Sequence, residues 1–140
     1  MNIAQIMTTD VELTAPSTSI AEAARRMRDE DVGALPVGED DRLVGMVTDR
    51  DIAVRGVAEG KAPDDCAVRD VMSEGIYWCF DDENAERAAE LMAEHKVRRL
   101  PIVNRDKRLV GVVSLADLAR AGVGEEALRS VSEPTAAPRA

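Results

Sequence analysis

The chain has 140 residues, 45% of them hydrophobic, and a formal charge of −9 at pH 7. That length supports one compact unit or two small halves sharing a core, because a half of about 65 residues alone would be marginal. An isoelectric point near 4.6 argues against a nucleic-acid backbone as partner, since that needs a basic face. No run approaches the roughly 18 apolar residues of a membrane span.

The opening segment "MNIAQIMTTD" has no basic region followed by an apolar run, so no signal peptide is expected and the cytoplasm is the expected setting. Its "IAQIM", from Ile3, returns 65 residues later as "VRDVM" from Val68. Next come short apolar runs that read as strands, Val11–Leu13 in the first copy and Ile76–Cys79 in the second. The second of these lies in "IYWCF", which gathers Tyr77, Trp78 and Phe80, the chain's whole aromatic set. That cluster suits three roles: core packing, a stacking platform for adenine, or an anchor at a dimer interface.

A helix follows in each copy. Ser19 and Glu22 have the spacing of a capping box, in which each side chain bonds the other residue's backbone N–H; Asn84 begins the second helix. Ile20, Ala23, Ala24 and Met27 fall on one helical stripe, and Ala85, Ala88, Ala89 and Met92 repeat it. Two apolar runs come next, "ALPV" with "LVGMV" and "LPIV" with "LVGVV", whose polar turns suit hairpins. A second helix closes each copy, "DRDIAVRGVA" or "LADLARA". The order is β-α-β-β-α, twice. Repeat one spans 1–60, a linker 61–67, repeat two 68–123, and a C-terminal helix or flexible tail 124–140. The predicted fold is α+β, with two pseudo-twofold-related repeats whose sheets pack together over one core.

The last strand of each hairpin ends in a shared pattern. "LVGMVTDRDIA" and "LVGVVSLADLA" both keep a hydroxyl three residues before an aspartate: Thr48 with Asp51, and Ser114 with Asp117. This spacing has two readings. In one, each hydroxyl is an N-cap and each aspartate an acidic first-turn residue. In the other, the hydroxyl and nearby backbone N–H groups meet a phosphate while the carboxylate accepts the paired hydroxyls of a ribose. Gly45 and Gly111 sit mid-strand, where glycine weakens a sheet unless a bulge or a close backbone approach requires it. Their recurrence three residues before each hydroxyl favours a site.

The paired "GMVTDRD" and "GVVSLAD" segments, with Leu35-Pro36 and Leu100-Pro101 opening the strands before them, resemble the motif of cystathionine-β-synthase-type (CBS) domains. The resemblance covers about residues 1–121, and two such repeats form a Bateman module. It is nearest to small stand-alone bacterial CBS pairs of the hypoxic response protein type. It implies a non-catalytic sensor that needs no cofactor and takes an adenosyl ligand (AMP, ADP, ATP, S-adenosylmethionine or NAD) in the cleft between the repeats.

By that likeness Asp51 and Asp117 grip ribose, Thr48 and Ser114 lie near phosphate, and Val32, Gly33 and Val97 enclose the base. Arg98 and Arg99, just before "LP", and Arg50 inside the first motif are phosphate candidates, the alternative being surface pairs with nearby carboxylates. The copies differ here: Gly33-Ala34 stands where the second has Arg98-Arg99, and Ala116 where the first has Arg50. A homodimer and a separate effector protein are the expected partners.

Two other functions fit the same letters. A ligand-free module would use the hydroxyl–aspartate pairs as caps only and act in oligomerisation or docking. A metal- or redox-responsive protein would use Cys66, Cys79 and His95, although their spacing matches no zinc-ligand pattern.

Overall fold

The computed structural model describes residues 1–123 together with Glu125 and Arg129. Apart from those two residues, the expected C-terminal helix or tail, 124–140, lies outside the described residues. Helix α1 is Ile20–Glu30, strands β1 and β2 are Ala34–Glu39 and Arg42–Thr48, and α2 begins at Asp49–Asp51 and continues as a π-helix over Ile52–Val57. The second copy gives β3 at Cys79–Phe80, α3 at Ala85–His95, β4 at Arg99–Val103, β5 at Leu109–Ser114 and α4 at Leu115–Arg120. Single 3₁₀ turns at Ile3–Gln5 and Val68–Asp70 carry the "IAQIM" and "VRDVM" segments. The fold is α+β.

Compactness does not follow the linear order of the repeats. Among the described residues, one unit comprises Val11–Ile76 with Asp106–Leu109; the other comprises Met1–Asp10, Tyr77–Arg105 and the residues from Val110. Each repeat therefore takes its leading segment from the stretch that precedes the other copy. In the first-repeat unit, Val68 and Val71 join Ile20, Ala23, Met27, Leu35, Val37 and Val47 in one buried cluster. In the second-repeat unit, Ile3 joins Ala85, Ala88, Met92, Leu100, Ile102, Val113 and Leu118. The helical stripes bury as predicted except at Ala24, which is exposed, and Ala89, which is half-buried.

The borrowed segments pair with the motif strands. Met46 and Ser73 exchange backbone hydrogen bonds at 3.0 and 2.9 Å, and Thr8 and Val112 do the same at 2.9 and 3.0 Å. Both approaches cross a mid-strand glycine. A Cβ on Gly45 would stand 2.6 Å from the Ser73 carbonyl oxygen, and one on Gly111 would stand 2.8 Å from that of Thr8. These glycines, expected to favour a ligand site, are explained by the close approach of a neighbouring backbone.

The predicted first strands are shorter than expected. Val11–Leu13 is not a strand; Thr14 alone forms a parallel bridge with Val37. In the second copy Ile76–Trp78 also lie outside the sheet, and β3 pairs in parallel with β4 through Cys79–Ile102 and Phe80–Val103. One residue accounts for the difference between the two sheets. Asp81 donates its N–H to the Val103 carbonyl at 2.9 Å, extending the ladder. Its counterpart is Pro16, which has no N–H to donate. The first-repeat unit thus has a two-stranded sheet, β1–β2, and the second a three-stranded sheet in the order β3-β4-β5.

The predicted helix caps are also partly revised. Ser19 Oγ accepts from Glu22 N at 3.1 Å, but the Glu22 carboxylate pairs with Arg25 at 2.9 Å, so no reciprocal box closes there. Asn84 makes no side-chain cap, because its Oδ1 accepts from the Met1 amino nitrogen at 3.1 Å.

The glycine approach gives a first prediction. Gly45→Ala and Gly111→Ala each lower stability by about 1–3 kcal/mol in urea titration, since a backbone must move to admit the methyl. Gly75→Ala, with nothing within 4 Å of the added carbon, stays within about 0.5 kcal/mol of wild type. Equal losses at all three would remove the role given to close approach.

Candidate functional site

The hydroxyl–aspartate pairs lie at two strand-to-helix junctions, one in each unit. At the first, Thr48 is extended (φ −112°, ψ 163°) and Asp49 starts α2. Asp51 N donates to Thr48 Oγ1 at 3.0 Å, and Thr48 N donates to Asp51 Oδ2 at 3.0 Å. At the second, Asp117 N donates to Ser114 Oγ at 3.1 Å and Ser114 N donates to Asp117 Oδ2 at 2.8 Å. Both pairs are complete capping boxes, with aspartate in the place usually held by glutamate or glutamine. The cap reading is therefore correct as far as it goes.

The residue just before the first strand of each hairpin is tied to the same junction. Asp49 N donates to the Gly33 carbonyl at 2.9 Å, and Leu115 N donates to the Arg98 carbonyl at 2.8 Å. Gly33 is thereby placed beside Thr48 and Asp51, and Arg98 beside Ser114 and Asp117. Val32 and Val97 follow the left-handed residues Asp31 (φ 55°) and Lys96 (φ 55°), which end α1 and α3. Both valines are half-buried and pack against their unit's core. Arg50, Arg98 and Arg99 are exposed, and none forms an ion pair among the described residues. The carboxylate partners weighed for them as an alternative are not found there.

The junctions are not equivalent. Asp51 is half-buried, and among the described residues its Oδ1 has no hydrogen-bond partner. Asp117 is 8% exposed, and its Oδ1 is ion-paired with Arg120. Arg120 was not a candidate from the sequence. Its signal was the i,i+3 spacing from Asp117, which the first copy lacks because Val54 stands at that place.

The metal and redox candidates fall apart. Cys66 is buried in the first-repeat core and Cys79 in the second-repeat core. His95 stacks on Tyr77 with ring centroids 3.5 Å apart and an interplanar angle of 9°. Among the described residues no three His, Cys, Asp or Glu side chains gather closely enough to hold a metal ion. Burial, with the Glu83 carboxylate beside it, pushes the Cys79 thiol up to about 12, away from the thiolate that metal binding and redox chemistry need. In "IYWCF" the roles divide: Cys79 is core, Trp78 meets Phe80 edge-on at 4.9 Å, and the Arg105 guanidinium covers the Phe80 ring at 3.9 Å. Arg105 also holds Asp82 through two hydrogen bonds at 2.8 and 2.7 Å. No described helix is long and apolar enough to cross a membrane.

With the same capping box at both junctions of one chain, the comparison with known proteins is decisive. The model of the CBS domain matches residues 3–56 and 68–124. The chain belongs to the CBS-domain family. It is 40% identical over 116 residues to hypoxic response protein 1 of Mycobacterium tuberculosis, covering 82% of this chain and 80% of that one. It is 44% identical over 118 residues to the CBS domain-containing protein YhcV of Bacillus subtilis, covering 84% and 83%.

Among solved structures, hypoxic response protein I with two coordinated zinc ions has a TM-score of 0.78 at 38% identity, covering 86% of this chain and 98% of that one. CBSX2 in complex with AMP gives 0.75 at 32% identity, covering 86% and 95%. The CBS domain pair of protein MJ0100, with 5′-methylthioadenosine and S-adenosyl-L-methionine, gives 0.75 at 27% identity, covering 89% and 98%.

The buried thiol yields a pH prediction. The folded Cys79 keeps its proton to about 12, whereas the unfolded thiol ionises near 9.0. The folded state binds the extra proton, so stability falls as pH rises from about 9 towards 12. In urea titrations at pH 8 and pH 10, Cys79→Ala is expected to lose about 1 kcal/mol less than wild type across that interval. Identical alkaline losses would show the thiol to be solvated.

Proposed function

We propose that the chain is a non-catalytic regulatory module that binds an adenosine-containing ligand at its two hydroxyl–aspartate junctions and passes the bound state to a separate protein. The observation that carries this reading is the duplicated junction itself, in a CBS pair whose solved relatives include complexes with AMP and with S-adenosyl-L-methionine. In this reading Asp51 and Asp117 accept hydrogen bonds from ribose hydroxyls, with Thr48 and Ser114 beside the phosphate. Val32, Gly33 and Val97 enclose the base.

Arg50, Arg98 and Arg99 meet phosphate, and their lack of carboxylate partners among the described residues supports that role. Signalling requires the ligand to favour one conformation of the module, which couples ligand and partner affinities reciprocally. A homodimer in the cytoplasm is the expected working form.

The test is ligand-dependent stability with AMP, ADP, ATP and S-adenosylmethionine, each compared with the same protein without ligand. Wild type gains about 2.7 kcal/mol at a hundredfold excess over Kd. Asp51→Ala and Asp117→Ala each reduce that increment, and Arg98→Ala and Arg99→Ala weaken the phosphorylated ligands more than S-adenosylmethionine. No increment with any of the four would leave a ligand-free interaction module in its place.

A further inference from the structure

We propose that Arg120 is a latch on the second-repeat site: it holds the Asp117 carboxylate in an ion pair that a ribose must displace, so the two sites of one chain bind the same nucleotide with unequal affinity, the Asp51 site tighter. This rests on the ribose role proposed for Asp51 and Asp117. Both carboxylates give Oδ2 to their own cap, to Thr48 N at 3.0 Å and to Ser114 N at 2.8 Å. The oxygen that the cap leaves wholly uncommitted is Oδ1. On Asp51 that oxygen has no hydrogen-bond partner among the described residues, whereas on Asp117 it is ion-paired with Arg120.

The difference follows from a one-residue shift of an arginine between the copies. Repeat one reads "DIAVRGV" from Asp51, and repeat two reads "DLARAGV" from Asp117. Arg120 is three residues after its aspartate in α4, where i and i+3 side chains share a helix face. Arg55 is four residues after Asp51, within the π-helical stretch, and its Nη1 turns to the carbonyls of Val71 and Met72 at 3.3 and 3.4 Å. It makes no ion pair with Asp51. The Asp117 carboxylate is 9% exposed while the Arg120 side chain is 73% exposed. The pair therefore has one fixed, buried member and one that can swing into solvent when a competitor arrives.

The latch is read by titration calorimetry with AMP in a background that isolates one site. In Asp51→Ala, adding Arg120→Ala tightens AMP binding by roughly two- to fivefold, the span to which the usual strength of a pair with a solvent-exposed cation converts. Arg120→Lys, which retains the charge, keeps most of the weaker affinity. In the reciprocal Asp117→Ala background, Arg120→Ala leaves AMP affinity unchanged, and raising the salt concentration narrows the difference between the two sites in wild type.

A merely structural arginine would lower the melting temperature without tightening any site. Unchanged or weaker AMP binding in Asp51→Ala/Arg120→Ala, including no detectable binding, overturns the latch while the regulatory reading stands on wild-type binding. Failure of wild type to bind any nucleotide overturns that reading itself.

Discussion

Two backbones have to pass within van der Waals reach of one another at the same point in each copy, and a side chain there would block them. Gly45 lets the Ser73 segment lie along β2, and Gly111 lets the Thr8 segment lie along β5. Everything downstream is registered from that crossing. The borrowed segment delivers Ile3, or Val68 and Val71, into a core that the repeat cannot fill alone. Three residues beyond the glycine the strand stops, and the capping hydroxyl begins the helix. Glycine, hydroxyl and aspartate are thus one mechanical sequence: approach, stop, turn.

That economy explains why structural and functional readings of the motif coincide. A carboxylate has two oxygens, and the capping box occupies only one of them. The cap fixes the aspartate's rotamer, which is what a ligand-binding group needs in order to avoid ordering costs on binding. The second oxygen can then be left open, as at Asp51, or held by a neighbouring cation, as at Asp117. A duplicated scaffold can diverge in this way without disturbing its caps, because the residue that changes, Arg120 against Val54, lies on the solvent side of the helix.

Much of the site was legible from spacing. The offset between the copies located both junctions, both caps and the residues before the hairpins that are tied to them, since all of these are set by local periodicity. What spacing did not give was the reason for the glycines. A mid-strand glycine reports that something comes close, and nothing in the letters says whether it is a ligand or another stretch of chain. The strand lengths were hidden for a similar reason: Val11–Leu13 and Ile76–Trp78 have strand-like composition, yet whether a run pairs depends on a partner remote in the chain, and beyond the Thr14 bridge Pro16 offers no donor to continue the ladder.

The sequence by itself determined the duplication, the α+β order of elements, the helix starts at Thr48 and Ser114, and the family, because each of these is written in residue types a few positions apart. Only the tertiary structure decided which leading segment completes which core, and which oxygen of each aspartate remains open. Those outcomes depend on groups remote in the chain or on the direction one arginine takes, and a shift of a single residue between Arg55 and Arg120 changes the available partner from a backbone carbonyl to a carboxylate.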